Sequence, residues 1–319
     1  MTTEINIVID TVWRMESARL IAGLTRFVRD VGIAEELAHD ALVAALEQWP
    51  GEGVPQNPAA WLMTAAKRRA IDLLRRNKTL DRKHEEIGRR LQASEAEGRL
   101  NLDAHLDNEV DDDLLRLVFT TCHPVLSTDA RVALTLRLLC GLTTDEIARA
   151  FLTTESTIAQ RIVRAKRTLA EKQVPFEVPR GEELAERLSS VLEVIYLLFN
   201  EGYSATAGEE WIRPALCEEA IRLGRIVAEL MPGEPEVHGL VALMEIQASR
   251  LGARTSPSGE PILLLDQNPA RWDQLLIPRG LTALERAESL GRERGPYQLQ
   301  ASIAACHARA RTPDETNWM

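Results

Sequence analysis

Aromatic residues make up only 4% of this 319-residue chain, and signals for β-strands are nearly missing. It has no long alternating runs and no Asn-Gly or Asp-Gly hairpin turns, which argues against a β-sheet protein. Long apolar runs are missing as well. The longest, residues 194–199 and 262–265, fall far short of the roughly 20 residues that span a bilayer. The N-terminus carries Glu4 and Asp10 and no early Lys or Arg, so it is not a secretory signal. Cys122, Cys140, Cys217 and Cys306 form no Cys-x-x-Cys pair. Cys122 adjoins His123 and Cys306 adjoins His307, but adjacent residues on a helix point about 100° apart, a poor geometry for one metal. The expectation is four reduced cysteines in a cytoplasmic protein, with no metal and no cofactor. Enzyme signatures are missing too: no Gly-rich phosphate loop, no His-Glu-x-x-His and no Gly-x-Ser-x-Gly. His39, His84, His105, His123, His238 and His307 stand apart from triad partners, so no catalytic residue is expected and the chain reads as a non-enzyme.

What the chain does have is Ala, Leu, Arg and Glu, side chains that lose little freedom in a helix. With 45% apolar and 27% charged residues it has ample material for real cores, and its length suggests about two or three domains. The fold class expected is all-α. Charge is unevenly spread around a net of −10. Lys67, Arg68, Arg69, Arg75, Arg76 and Lys78 cluster against the single acid Asp72. A second basic stretch holds Arg161, Arg164, Lys166, Arg167 and Lys172. Between them lies an acidic segment with Glu95, Glu97, Asp103, Asp107, Glu109 and Asp111–Asp113. Two basic modules flank an acidic linker. The negative total does not oppose nucleic-acid binding, which needs a local basic surface.

Residues 33–49 place Leu37, Ala41, Leu42, Ala45, Leu46 and Trp49 on one helical stripe, with Glu35, Glu36, Asp40 and Glu47 off it. Residues 49–57 read as a Pro/Gly loop, after which Asn57 caps a helix that has Pro58 in its first turn. Trp61 reads as a core anchor. Further on, Ser127 precedes a helix that Gly141 ends. Thr143 to Glu146 form a capping box for a short helix over 145–151. After the tight connection 152–154, a longer helix runs over 155–172. Short helix, three-residue turn and long helix make a helix-turn-helix. Ile147, Ala148, Phe151, Ile158, Ile162, Ala165 and Leu169 supply its apolar faces. Thr154, Glu155, Ser156, Thr157 and Gln160 project from the first turns of the second helix, which in this motif enter the major groove. Gln bonds adenine in bidentate fashion, while Arg161, Arg164, Lys166 and Arg167 suit backbone phosphates. Beyond residue 181, helices are expected over 183–200, 214–230, 235–251, 269–290 and 296–311, paired as in a tetratricopeptide-like solenoid.

The two basic modules together resemble a bacterial extracytoplasmic-function sigma factor. Residues 30–42 (DVGIAEELAHDAL) look like the region 2 helix that docks on the polymerase clamp, and 61–76 (WLMTAAKRRAIDLLRR) like the helix that engages the −10 element. Residues 141–148 (GLTTDEIA) and 157–167 (TIAQRIVRAKR) resemble region 4, the −35 reader. The segments 200–203 (NEGY), 266–273 (DQNPARWD) and 295–301 (GPYQLQA) resemble the tetratricopeptide-like extension fused to one sigma group, which regulates activity. Two departures stand out: Leu152 occupies the turn position that usually has Gly, and Ala159 one that is usually basic or polar.

The resemblance implies sigma region 2 over 8–78, an acidic linker over 79–110, region 4 over 111–173 and a helical extension over 181–319. It implies core RNA polymerase and promoter DNA as partners, with Glu35, Glu36 and Asp40 facing polymerase. Lys67, Arg68, Arg69, Arg75, Arg76 and Lys78 would meet the −10 region, and residues 154–167 the −35 region. A regulatory protein or ligand at the extension is a further expected partner, and no membrane is. The other function weighed is a DNA-tethered scaffold whose C-terminal half binds a peptide and which takes no part in initiation. Finally, Thr312-Pro313-Asp314-Glu315 reads as a helix start that stops at Met319, so the chain is expected to be a truncated form of a longer protein.

Overall fold

The computed structural model describes residues 2–86, 106–204, 212–256, 260–291 and 293–310, with the side chains of 2–4, 76–86, 106–110 and 265 left aside. Most of the expected linker and the expected helix start at Thr312 lie outside the described residues, as do the side chains of Arg76 and Lys78. The described residues form twelve α-helices, three short 3-10 turns and no strand; Thr255 and Pro261 make one isolated antiparallel bridge. The chain divides into two compact units.

The first unit comprises Met1–Thr121, Ala133–Thr143 and Gln160–Pro179. It is built on α1 (Thr2–Val28), α2 (Val31–Glu52), α3 (Pro58–Glu86) and α4 (Leu106–Thr121), with α1 packed on the other three. Asp30 starts α2, its side chain accepting the Ile33 N–H at 2.9 Å. Trp49, Leu62, Ala38, Ala41 and Leu24 are buried, and Trp49 meets Trp61 edge-on at 5.4 Å. The expected loop after Trp49 begins later than expected. Pro50 stays inside α2, which runs to Glu52 and ends where the Gly53 N–H bonds the Trp49 carbonyl. A proline in the last turn removes only the bond to the Leu46 carbonyl, and Leu46 is on the exposed side of the helix. Asn57 caps α3 as expected, accepting the Ala60 N–H at 3.0 Å.

Three helices follow: α5 (Thr128–Leu138), α6 (Thr144–Ala150) and α7 (Glu155–Glu171). Gly141 ends α5 at φ +68°, and the Leu142 N–H reaches back to the Leu136 carbonyl. A Cβ at Gly141 would lie 3.1 Å from Ser17 Oγ, so both conformation and space require glycine there.

The second unit comprises Cys122–Val132, Thr144–Ala159 and Arg180–Met319. Its main body is α8 (Glu182–Tyr203), α9 (Pro214–Leu230), α10 (Pro235–Ala248), α11 (Leu276–Ser289) and α12 (Pro296–Arg309). Helix α10 is central and buried on nearly every side, packed on α9, α11 and α12. Ala242, Leu243, Ile246, Leu284, Ala301 and Ala305 form one core cluster. Gly280 lets α11 lie against α10, since a Cβ there would meet Ile246 Cγ1 at 2.6 Å. Glu236 of α10 caps α12 by accepting the Tyr297 and Gln298 N–H groups, each at 3.0 Å. The helix expected over 269–290 is broken. Asn268 caps a separate 3-10 turn, Pro269–Arg271, and Asp273 accepts from Leu275 and Leu276 to start α11 afresh. Two capping side chains five residues apart compete with a continuous helix. Among the described residues no helix is long and apolar enough to cross a membrane.

Candidate nucleic-acid interface

The connection from α6 to α7 carries the local geometry of a helix-turn-helix. The Phe151 N–H closes the last turn of α6 on the Ile147 carbonyl, and the Thr153 N–H reaches the Ala148 carbonyl. Leu152 sits between them at φ +47°, the left-handed conformation that normally falls to glycine, with its side chain 54% exposed. The sequence departure at this position therefore keeps the turn and costs about 1 kcal/mol of backbone strain. Thr154 caps α7, accepting the Thr157 N–H at 3.2 Å, and its hydroxyl also meets those of Ser156 and Thr157. Thr144 of α6 donates to Glu155 at 2.9 Å across the turn.

Thr154, Glu155, Ser156, Thr157 and Gln160 are all exposed, while Ile158, Ile162, Ala165 and Leu169 are buried. Arg164 and Arg167 are exposed, and Arg161 is half-buried. Arg167 pairs with Glu171 at 2.6 Å along the helix. In α3, Arg68 and Arg75 are exposed, and Lys67 and Arg69 are half-buried.

Two of the expected site residues are joined to each other instead of facing outward. Glu35 is not on the open face of α2; its side chain is 5% exposed and bonds Lys166 of α7. Arg137 of α5 completes the cluster, donating to Glu35 at 2.6 Å, to the Leu142 carbonyl at 3.1 Å and to His39 Nε2 at 2.9 Å. Burial pushes the Glu35 pKa up, but Lys166 and Arg137 outweigh it and hold the carboxyl below its usual range. All of these groups belong to the first unit. The neighbouring Glu36 and Asp40 are exposed. Buried positions on α2 include Ala34, Glu35, Ala38, Ala41 and Ala45, a wider stripe than the larger side chains mark, whereas Leu46 is 43% exposed and lies off it.

Sequence reasoning also passed over two arginines of the second unit. Arg131, at the start of α5, is buried, bonding Ser190 of α8, Glu193 at 3.0 Å and Thr128 at 2.9 Å. Ser190 in turn donates to the Cys122 carbonyl at 2.7 Å. Arg213, just before α9, bonds the Ala150 carbonyl at the end of α6 and pairs with Glu201 at 2.5 Å. The C-terminal helices thus hold both the entry to α5 and the exit of α6. The chain's other reactive groups are quiet: burial pushes the Cys217 thiol up to about 12, and burial with Arg187 nearby lowers His123 to about 4. Among the described residues no three His, Cys, Asp or Glu side chains gather to hold a metal.

This is the layout of two basic helical modules followed by a helical extension. Residues 13–79 match the family described as sigma-70 region 2, and residues 116–169 match sigma-70, region 4. Residues 187–288 match a family of unknown function (DUF6596). Over 316 residues the chain is 42% identical to an uncharacterized protein of Rhizobium meliloti (strain 1021), an alignment covering 97% of this chain and 74% of that protein. No solved structure matches. The chain belongs to the sigma-70 family: it is an RNA polymerase sigma factor of the extracytoplasmic-function type with an extra C-terminal domain. Its partners are accordingly core RNA polymerase and promoter DNA, and sigma factors are in general initiation factors without catalysis of their own.

Proposed function

We propose that the exposed row on the first turns of α7 reads the −35 element, with Gln160 and the Thr154–Thr157 hydroxyls at base edges and phosphates. Arg161, Arg164 and Arg167 neutralise the backbone beside them. Lys67, Arg68, Arg69, Arg75, Arg76 and Lys78 engage the −10 region, and Glu36 and Asp40 face the polymerase from α2. Regions 2, linker, 4 and extension span about 8–78, 79–110, 111–173 and 181–319. The protein works in the cytoplasm, where polymerase and promoter are. The observation that carries the reading is the exposure of Thr154, Glu155, Ser156, Thr157 and Gln160 together beyond a sound cap and turn.

The tetratricopeptide-like extension, in this reading, supports initiation by holding the entry to α5 through Arg131 and the exit of α6 through Arg213. A DNA-tethered scaffold has no use for a polymerase-docking helix and a second basic helix. The test is run-off transcription with purified core polymerase on genomic fragments. Discrete start sites that depend on this chain are expected. Promoter-independent transcription, or none beside an active control sigma factor, would overturn the reading.

A further inference from the structure

Helices α9, α10 and α11 of the second unit border an open groove of about 690 Å³. Its floor is Glu245 of α10, whose side chain is 3% exposed and lies 2.6 Å from Arg225 of α9. Along α10, His238, Val241 and Glu245 recur at i, i+3 and i+7, so all three look into the groove from one face. Along α11, Arg279, Thr282 and Arg286 repeat the same spacing from the opposite wall. The Pro232 carbonyl fixes one end, accepting from Arg286 at 3.3 Å and lying 3.1 Å from His238 Nε2.

The charge in this groove does not balance. Arg225, Arg279 and Arg286 face one carboxylate, Glu245, which Arg225 already pairs. Two guanidinium charges are left over, in a chain whose net charge is −10. Both excess arginines are exposed. Between them the lining is mainly apolar, with Val241, Pro278 and Ala283.

We propose that this groove binds an acidic peptide segment, with Arg279 and Arg286 each taking one carboxylate. Spacing selects that occupant over a single small anion. Seven residues of helix separate the two arginines by about 10 Å along the axis, too far for one phosphate or carboxylate to serve both. A peptide in the polyproline II conformation rises about 9 Å in three residues and returns to the same face, so carboxylates at i and i+3 fit. Bidentate arginine–carboxylate bonds give register, and apolar side chains between the two acids cover Pro278 and Ala283. A nucleic-acid backbone suits the groove poorly, because it has no apolar side chains to cover the apolar wall between the two arginines. The proposal is independent of the promoter assignments, since it concerns α9, α10 and α11, which carry none of the proposed promoter contacts, and is read without polymerase.

The probe is a fluorescein-labelled peptide carrying Glu-Leu-Leu-Glu, titrated with the full chain and followed by anisotropy at low and high salt. Saturable binding is expected, weakened by salt and at least tenfold tighter than for the Gln-Leu-Leu-Gln peptide. Arg279→Ala with Arg286→Ala should weaken it by roughly tenfold per arginine, the loss of one charge-assisted contact each. Both positions are exposed, so an unchanged thermal midpoint and circular dichroism spectrum will show an intact fold. The reversal variant, Arg279→Glu with Arg286→Glu, should instead prefer a Lys-Leu-Leu-Lys peptide. Equal affinity for the Gln peptide, or binding untouched by the paired substitutions, overturns the proposal. Displacement of the bound peptide by short duplex DNA also overturns it and assigns the groove to nucleic acid.

Discussion

Replacing Glu35 by Gln removes the one negative charge from between two cations. In the wild-type protein the carboxylate is 5% exposed, 2.6 Å from Arg137 and bonded to Lys166. Breaking a fully buried ion pair costs about 3–5 kcal/mol. Here the cations keep some water, with side chains 20% and 22% exposed, so the larger figure must be discounted. A loss of about 2–3 kcal/mol is expected, which at about 2–4 °C per kcal/mol lowers the thermal midpoint by roughly 5–10 °C. The pH dependence has a definite sign. The Glu35 pKa is depressed in the folded protein, because its two cations outweigh the burial that alone would raise it. Such a group stabilises the fold above its unfolded value and loses that contribution as pH falls through the folded value. The gap between wild type and Glu35→Gln should therefore be full at neutral pH and shrink below the ordinary glutamate value of 4.5. Thermal unfolding followed by tryptophan fluorescence reads it directly. Equal midpoints at neutral pH, or a gap that stays constant into acid, would refute the reasoning. The same variant releases Lys166, so a phosphate contact should be gained and the salt slope of DNA binding should steepen by about 0.9.

Leu152→Gly should raise stability by up to about 1 kcal/mol at the turn, since glycine adopts φ +47° without the Cβ clash; a lowered midpoint would mean that leucine packs there. Gln160→Ala should cost about 1–3 kcal/mol on the cognate promoter and relax discrimination at one base pair. By contrast Lys172→Ala, on an exposed cation, should weaken all sequences alike and lower the salt slope. Identical responses of the two variants on a promoter-mutant panel would move the reading helix elsewhere. Glu36→Lys with Asp40→Lys should reduce capture of core polymerase while changing stability by only about 0.5 kcal/mol, both residues being exposed. Wild-type capture would remove these acids from the docking face.

The elements with strong punctuation were legible in the sequence. Asn57 with Pro58, Gly141, and the 152–154 turn all sit where cap and turn chemistry put them. Helix α9 spans the expected Pro214–Leu230, and its proline starts it. Less legible were α1 and α4. Helix α4 begins within the acidic stretch, where Asp107 and Asp111–Asp113 look like a solvated linker. Asp113 is in fact buried and bonded to Arg116 at 2.5 Å. In the interface, the exposed row on α7 followed from the period of its apolar partners. Glu35 did not, because the stripe on α2 is made largely of alanines, and alanine at i, i+4 is a weak marker of a buried face. The partners of Glu35 come from 102 residues away in Arg137 and from still further along in Lys166, a separation that no local pattern reports.

The misread residues share one physical feature: they are charges, and a charge on a helix reads by default as a solvated face. Here several charges do the joining. Region 4 helices meet α2 through Arg137 and Lys166 on Glu35. In the second unit, α5 and α6 meet the C-terminal helices through Arg131 on Ser190 and Glu193, and Arg213 on the Ala150 carbonyl. Such contacts add little net stability over well-packed leucines, because desolvation offsets most of the Coulombic gain. Their effect is on geometry. A leucine packs in many orientations, whereas the Glu35 carboxylate is satisfied only where two cations converge, and the Ala150 carbonyl only where the Arg213 guanidinium reaches the helix end. On the proposed assignment α7 must present its first turns in one orientation, and polar joints of this kind hold an orientation while remaining separable by water. Apolar joints would hold more tightly and define less.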